Sequence, residues 1–275
     1  MKNVLKQSGK AICYFGAFFG SQLIFTIILT MYHSVMLGIE FAQKGEMPDN
    51  NTLNELLLER VYGDSGLLVI LAAVLTIFAL WLFFFVRKKK LTVEAEIVPF
   101  DKKLWAPVIG MGIGMALFFN GGMSLLPIPE DVLTSYAESS AGLFEQPFLL
   151  ALISNAIAAP LVEEIVFRGL MNTRMRKAMP TVVVVLITSV VFGLMHGHIL
   201  WASYAAIMGI LFAIVAIQCN STLASIIVHL IVNLIGTLFA FSGWLPTIMG
   251  YAIMCGMGAI FLVISLLLLF KKKAQ

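Results

Sequence analysis

The chain has 275 residues, of which 60% are hydrophobic and 12% are charged, and its formal net charge is +3. Its mean hydropathy of +0.97 excludes a soluble globular domain, in which about half of the residues are apolar. The small positive charge gives no indication of nucleic-acid binding. Because the apolar runs are too long for barrel strands and lipid otherwise admits only helices, the composition predicts an all-α, polytopic membrane helix bundle.

Eight apolar runs approach the roughly 20 residues that a helix needs to cross a bilayer. They cover residues 11–32, 66–86, 105–128, 147–170, 181–197, 199–218, 221–241 and 247–270. We therefore predict about eight transmembrane helices. The longest polar segment, 33–65, is predicted to be a loop, in which the run LNELLLERVYG forms an amphipathic helix on the outer surface.

The charges predict the orientation of the bundle. Threading the chain from an inside N-terminus places sixteen of the 18 Lys and Arg residues on one side, including Lys271, Lys272 and Lys273. Ten of the 15 Asp and Glu residues fall in the segments 33–65 and 129–145 on the other side. Because basic residues collect in the cytoplasm, we predict that both termini are cytoplasmic. The short chain and its plain loops favour a membrane protein of bacterial type.

A few ionisable and amide side chains interrupt the predicted spans, and a charge near the bilayer centre costs at least about 2.5–3.5 kcal/mol. Such residues are expected to face a cavity or one another. They are Glu163, Glu164, Arg168, His196, His229 and Asn233.

Residues four apart share one face of a helix. This spacing pairs Glu164 with Arg168 in a structural ion pair and leaves Glu163, turned about 100° away, free to face the bundle interior. There it could act as a base beside an imidazole. Two plainer interpretations remain: Arg168 could extend to the interface, and each histidine alone could be an ordinary core residue.

Three motifs occur in a fixed order on three spans: EEIVFR (163–168), FGLMH (192–196) and HLIVN (229–233). With the APLVEE lead-in and the FRG tail, they resemble the CAAX-protease and bacteriocin-processing (CPBP) family, also called the Abi family of intramembrane proteases. The resemblance covers about 160–235. It implies three parts: N-terminal helices with two acidic outer segments (1–146), a catalytic core (147–241), and a C-terminal helix with a basic tail (242–275).

The resemblance implies an intramembrane endopeptidase that hydrolyses a peptide bond in a membrane-associated peptide or protein. Glu163 matches the water-activating glutamate, His196 assists it, and His229 with Asn233 matches the pair that stabilises the oxyanion. Supporting positions are Glu164, Arg168 and Phe192. From helix rise, Glu163 and His229 each lie about 12 Å from the basic side, so we expect the cavity to open toward the cytoplasm.

Several alternatives stay open. No cofactor is favoured, although Glu163, His196 and His229 could hold Zn²⁺ with an open position for water. A catalytically silent scaffold or bacteriocin-immunity protein could bind a peptide in the same cavity, and a transporter is a third class. The sequence does not indicate the substrate, the cleavage site, the use of prenylated substrates or the oligomeric state.

Overall fold

The structure is a computed structural model that describes residues 1–45 and 48–271. Those residues form helices and no strands, which confirms the predicted all-α class. The longer helices of the described chain are α1 (Lys2–Lys44), α2 (Asn50–Gly63), α3 (Ser65–Val86), α4 (Trp105–Met123), α5 (Glu130–Phe144), α6 (Phe148–Met175), α7 (Thr181–Leu194), α8 (Ile199–Cys219), α9 (Thr222–Phe241) and α10 (Ile248–Lys271).

Seven of these helices are long and apolar enough to cross a membrane, and they are α1, α3, α4, α6, α8, α9 and α10. The eighth predicted run forms α7, which has 14 residues and measures only about 21 Å at 1.5 Å per residue. It ends at Leu194, three residues before the run itself, and the chain turns at Gly197, whose φ is 78°. The polytopic bundle is therefore confirmed, with seven helices of spanning length among the described residues where about eight were predicted.

The outer segment 33–65 differs from the predicted loop. Its first residues continue α1, whose 43 residues span about 65 Å, twice the bilayer core. The run LNELLLERVYG is helical, as predicted, and lies within α2. A hydrogen bond and an ion pair hold the extension of α1 against α2, with His33 2.8 Å from Asp64 and Arg60 2.6 Å from Glu40.

The two ends of the bundle carry opposite charge. The basic face contains the start of α1, the segment 87–104 and residues 174–177, and it is tied together by the Arg174–Glu94 ion pair and a 3.1 Å bond from Asn3 to the Lys177 carbonyl. The acidic face contains α2, α5 and the ends of α4 and α9. Of the predicted basic tail, Lys271 ends α10, whereas Lys272 and Lys273 lie outside the described residues.

Aromatic packing fixes α6 at the centre of the bundle. Phe167 is fully buried, and its ring meets Phe18 of α1 at 5.9 Å and Phe192 of α7 at 5.3 Å between centroids. Each edge-to-face pair of this kind contributes about 0.5–1.5 kcal/mol of stability beyond what the burial of apolar surface contributes. The helix that carries the two glutamates is thereby held against both neighbours.

Candidate active site

Helix α6 carries the adjacent glutamates on a short α-helical stretch, Ala159–Glu164, between two π-helical stretches, Ser154–Ala158 and Ile165–Asn172. Such widened turns occur frequently at functional sites. The first one has a local cause in the sequence. The Ala159 N–H donates to the Ser154 carbonyl, and Pro160, the next residue, has no N–H to donate, so the Asn155 carbonyl is available to another helix.

Asn233 of α9 uses that available carbonyl. Its side-chain Nδ2 donates to the Asn155 carbonyl over 2.8 Å. An amide nitrogen carries two hydrogens, so one remains for a ligand. The widened turn of α6 thus fixes the orientation of the Asn233 side chain.

Glu164 is fully buried and joins α6 to α9. Its Oε1 lies 2.9 Å from Arg168 Nη1 and 3.0 Å from His229 Nδ1. The ion pair with Arg168 agrees with the prediction from the four-residue spacing. Because a charge inside a bundle is costly unless it is paired, Glu164 and Arg168 stabilise each other and orient the imidazole.

The guanidinium of Arg168 is enclosed by two further helices. It donates to the Gly209 carbonyl of α8 over 3.1 Å and lies 4.3 Å from the centroid of the Phe192 ring. A Cβ on Gly209 would lie 3.0 Å from Arg168 Nη2. Glycine at this position therefore leaves the space that the guanidinium occupies.

His229 lies between the two glutamates. While Nδ1 faces Glu164, Nε2 lies 3.9 Å from Oε2 of Glu163, and the ring stacks on Phe212 with centroids 4.3 Å apart. The Glu163 side chain retains 17% of its exposure, whereas Glu164 retains 0%. Of the two adjacent carboxylates, only Glu163 is reachable by a ligand.

His196 lies in the turn after α7. Its Nδ1 is 2.9 Å from the Phe192 carbonyl oxygen, which can only accept a hydrogen bond, so Nδ1 carries the hydrogen. The Trp201 ring packs at 5.1 Å between centroids. Nε2 is consequently the ring nitrogen left for a ligand or water.

A cavity of about 580 Å³ brings the predicted site residues together. Its wall includes Glu163, His196, His229 and Asn233. Sequence reasoning missed three amide residues that also line it. They could have been found as amide side chains within otherwise apolar spans. These residues are Gln22, Asn120 and Asn155.

The cavity opens on the opposite side from the one expected. Along α9 it is lined from His229 to Ala240, toward the acidic face, and its wall also includes Ser124 and Tyr136 near that face. Toward the basic face it ends at buried rings such as Phe167. The expectation from helix depth is wrong. The position of a residue along its helix gives its distance from one face of the membrane, but it does not show on which side packed side chains close the cavity.

The described part of the chain holds no group of three His, Cys, Asp or Glu side chains arranged to bind a metal ion. Both ring nitrogens of His229 face glutamates, and Nδ1 of His196 is bonded to a carbonyl. Glu163, His196 and His229, the ligands that zinc would use, line one cavity.

Residues 145–235 match the family described as Rce1-like, type II CAAX prenyl endopeptidase Rce1-like. The matched part is about a third of the chain and contains all three motifs, which confirms the resemblance. Neither the curated proteins nor the solved structures gave a match. The fold defines an integral membrane protein, and the match indicates a CAAX-type intramembrane endopeptidase. The division into three parts, the bacterial origin and the orientation stay predictions.

Proposed function

We propose that the chain is an intramembrane endopeptidase of the glutamate type, in which Glu163 activates the water that hydrolyses a peptide bond. The observation that carries this proposal is the different environment of the two adjacent carboxylates. Glu164 is bound by Arg168 and His229 in the core, while Glu163 faces the cavity beside an imidazole. A general base must reach its water, and of the two glutamates only Glu163 meets that condition.

In the proposed reaction, the Glu163 carboxylate takes a proton from water while the water oxygen attacks the carbonyl carbon of the scissile bond. His196 orients that water through Nε2. The tetrahedral intermediate then collapses, the C–N bond breaks, and the proton on Glu163 passes to the leaving amine. The products are a free carboxyl end and a free amino end.

Two side chains can stabilise the oxyanion. Asn233 has one amide hydrogen that Asn155 does not use, and it donates regardless of pH. His229 can donate from Nε2 only when both ring nitrogens carry hydrogen, because Nδ1 faces the Glu164 carboxylate. Glu164 stabilises that positively charged imidazole by direct contact, so its role is to position and charge His229.

The proposed mechanism uses no metal ion. A membrane-associated peptide or protein is the proposed substrate. The matched family is named for prenyl endopeptidases, so a peptide ending in a prenylated Cys-a-a-X sequence is the first defined substrate to test.

The decisive experiment compares the termini of membrane proteins in cells that express the wild-type chain or the Glu163→Gln variant at equal levels. Glu138→Gln, on the exposed surface of α5, is the matched control. Termini that appear with wild type and Glu138→Gln but not with Glu163→Gln would support the proposal and identify the substrate. Identical termini in all three would refute it in favour of a silent peptide-binding scaffold.

A further inference from the structure

A second, smaller cleft reaches Glu163 from the side of α1 and α3. Its volume is about 50 Å³, and it lies between α1, α3 and α6. Most of its wall is apolar. The lining residues are Phe18, Gln22, Val69, Ala72, Ala73, Ala159, Val162 and Glu163.

Gln22 and Glu163 are the polar residues of this cleft. Gln22 lies one turn after Phe18 on the same face of α1, and it also lines the main cavity. No hydrogen bond of its side chain occurs within the described residues. An amide without a partner in an apolar span is costly, so the Gln22 side chain is explained by a polar occupant of the cleft.

The size and chemistry of the cleft fit water. A water molecule needs about 10–15 Å³ of such volume and at least two polar partners, and 50 Å³ is too small for a peptide residue and its neighbours. Small alanine side chains on α3 and α6 keep the passage open. Cavities lined only by apolar groups stay dry, whereas this one is also lined by an amide and a carboxylate.

We propose that Gln22 positions the hydrolytic water on Glu163, and that this water reaches the carboxylate through the cleft between α1 and α3. The inference rests on the proposed function. The cleft is a side branch of the main cavity, with which it shares five of its eight lining residues. The peptide would occupy the main cavity and the water the branch, so that binding of the substrate does not displace the nucleophile. Gln22 lies outside the matched residues 145–235.

Thiol labelling tests whether water reaches position 22 without any substrate. In a background with Cys13, Cys219 and Cys255 replaced by alanine, Gln22→Cys is compared with Leu23→Cys, whose side chain lies on the outer surface of α1. The probe is 2-aminoethyl methanethiosulfonate, which reacts with the thiolate form of cysteine. A cysteine thiol ionises only where water reaches it, so the labelling rate reports the presence of water. We expect Cys at 22 to react at least about tenfold faster. Equal rates would overturn the inference.

A kinetic experiment tests the role of Gln22. The probe is an internally quenched peptide with a prenylated Cys-a-a-X end, cleaved by the purified full chain. For Gln22→Met, which has a similar shape, we expect a roughly tenfold fall in kcat with KM unchanged, as the loss of one hydrogen bond predicts. Leu23→Met is the control and should match wild type.

The outcomes separate the two proposals. A raised KM with normal kcat for Gln22→Met would show that the amide binds peptide, and a normal kcat and KM would show no role. Either result overturns the water-positioning inference while leaving Glu163 as the base. Cleavage that persists in the Glu163→Gln variant would instead overturn the proposed function, whatever the labelling rates.

Discussion

Replacing Arg168 by methionine should destabilise the chain strongly, because it leaves a buried carboxylate without its arginine partner. Glu164 is fully buried, and its Oε1 lies 2.9 Å from the guanidinium. Breaking a buried pair by removing one partner costs about 3–5 kcal/mol. The contact with the Phe192 ring at 4.3 Å adds about 1–2 kcal/mol when it is desolvated.

The measurement is thermal unfolding of the purified protein in detergent, followed by tryptophan fluorescence. At about 2–4 °C per kcal/mol for a chain of this size, the Arg168→Met transition should fall by at least about 10 °C. Arg60→Met is the matched control, because Arg60 forms an ion pair with Glu40 on the exposed outer segment. Exposed pairs contribute little, so that variant should unfold close to wild type.

The double variant Glu164→Gln/Arg168→Met distinguishes charge from packing. It removes both charges, so it should recover most of the stability lost in Arg168→Met, although His229 then loses its charged partner and cleavage falls. Equal destabilisation of the single and double variants would refute the reasoning, since it would assign the loss to the shape of the arginine. A single variant that unfolds like wild type would refute it as well.

Three further results are expected. Gly209→Ala should lower stability by about 1–3 kcal/mol, because its Cβ would meet Arg168 Nη2 at 3.0 Å, whereas Gly16→Ala, with no atom within 4 Å, should not; equal effects would contradict this account. Cleavage should survive a zinc chelator, and loss of activity restored by added zinc would overturn the metal-free mechanism. In a cysteine-free background, Ser124→Cys at the cavity opening should react with a membrane-impermeant thiol reagent on intact cells, and Lys103→Cys on the basic face only after permeabilisation; the reverse pattern would contradict the predicted orientation.

Sequence spacing predicted the parts of the site that lie along one helix. The Glu164–Arg168 pair follows from the i, i+4 spacing, which places both side chains on one face of the helix. The order of the three motifs indicated that α6, α7 and α9 meet. The same reasoning correctly separated the environments of Glu163 and Glu164. These inferences succeeded because they depend on helix periodicity and on the cost of a charge in lipid.

Contacts between helices could not be predicted in the same way. The bond from Asn233 to the Asn155 carbonyl depends on a π-helical turn, which Pro160 makes possible but which the sequence pattern does not reveal. Nor does spacing indicate that His229 faces both glutamates. The amides Gln22 and Asn120 were missed because attention to ionisable residues passes over neutral polar ones, although an unpaired amide in a span is also costly.

The side on which the cavity opens has a consequence for the substrate. The basic residues predict that the opposite, acidic face is outside the cytoplasm, and it is toward this face that the cavity extends from Glu163. Prenylated Cys-a-a-X ends, in contrast, are made in the cytoplasm. The charge pattern thus favours a peptide that reaches the site from the outer surface. The name of the matched family favours a prenylated peptide that reaches it from the cytoplasm. Because Ser124 lies at the opening and Lys103 on the basic face, the sidedness of these two positions decides between the two substrate classes.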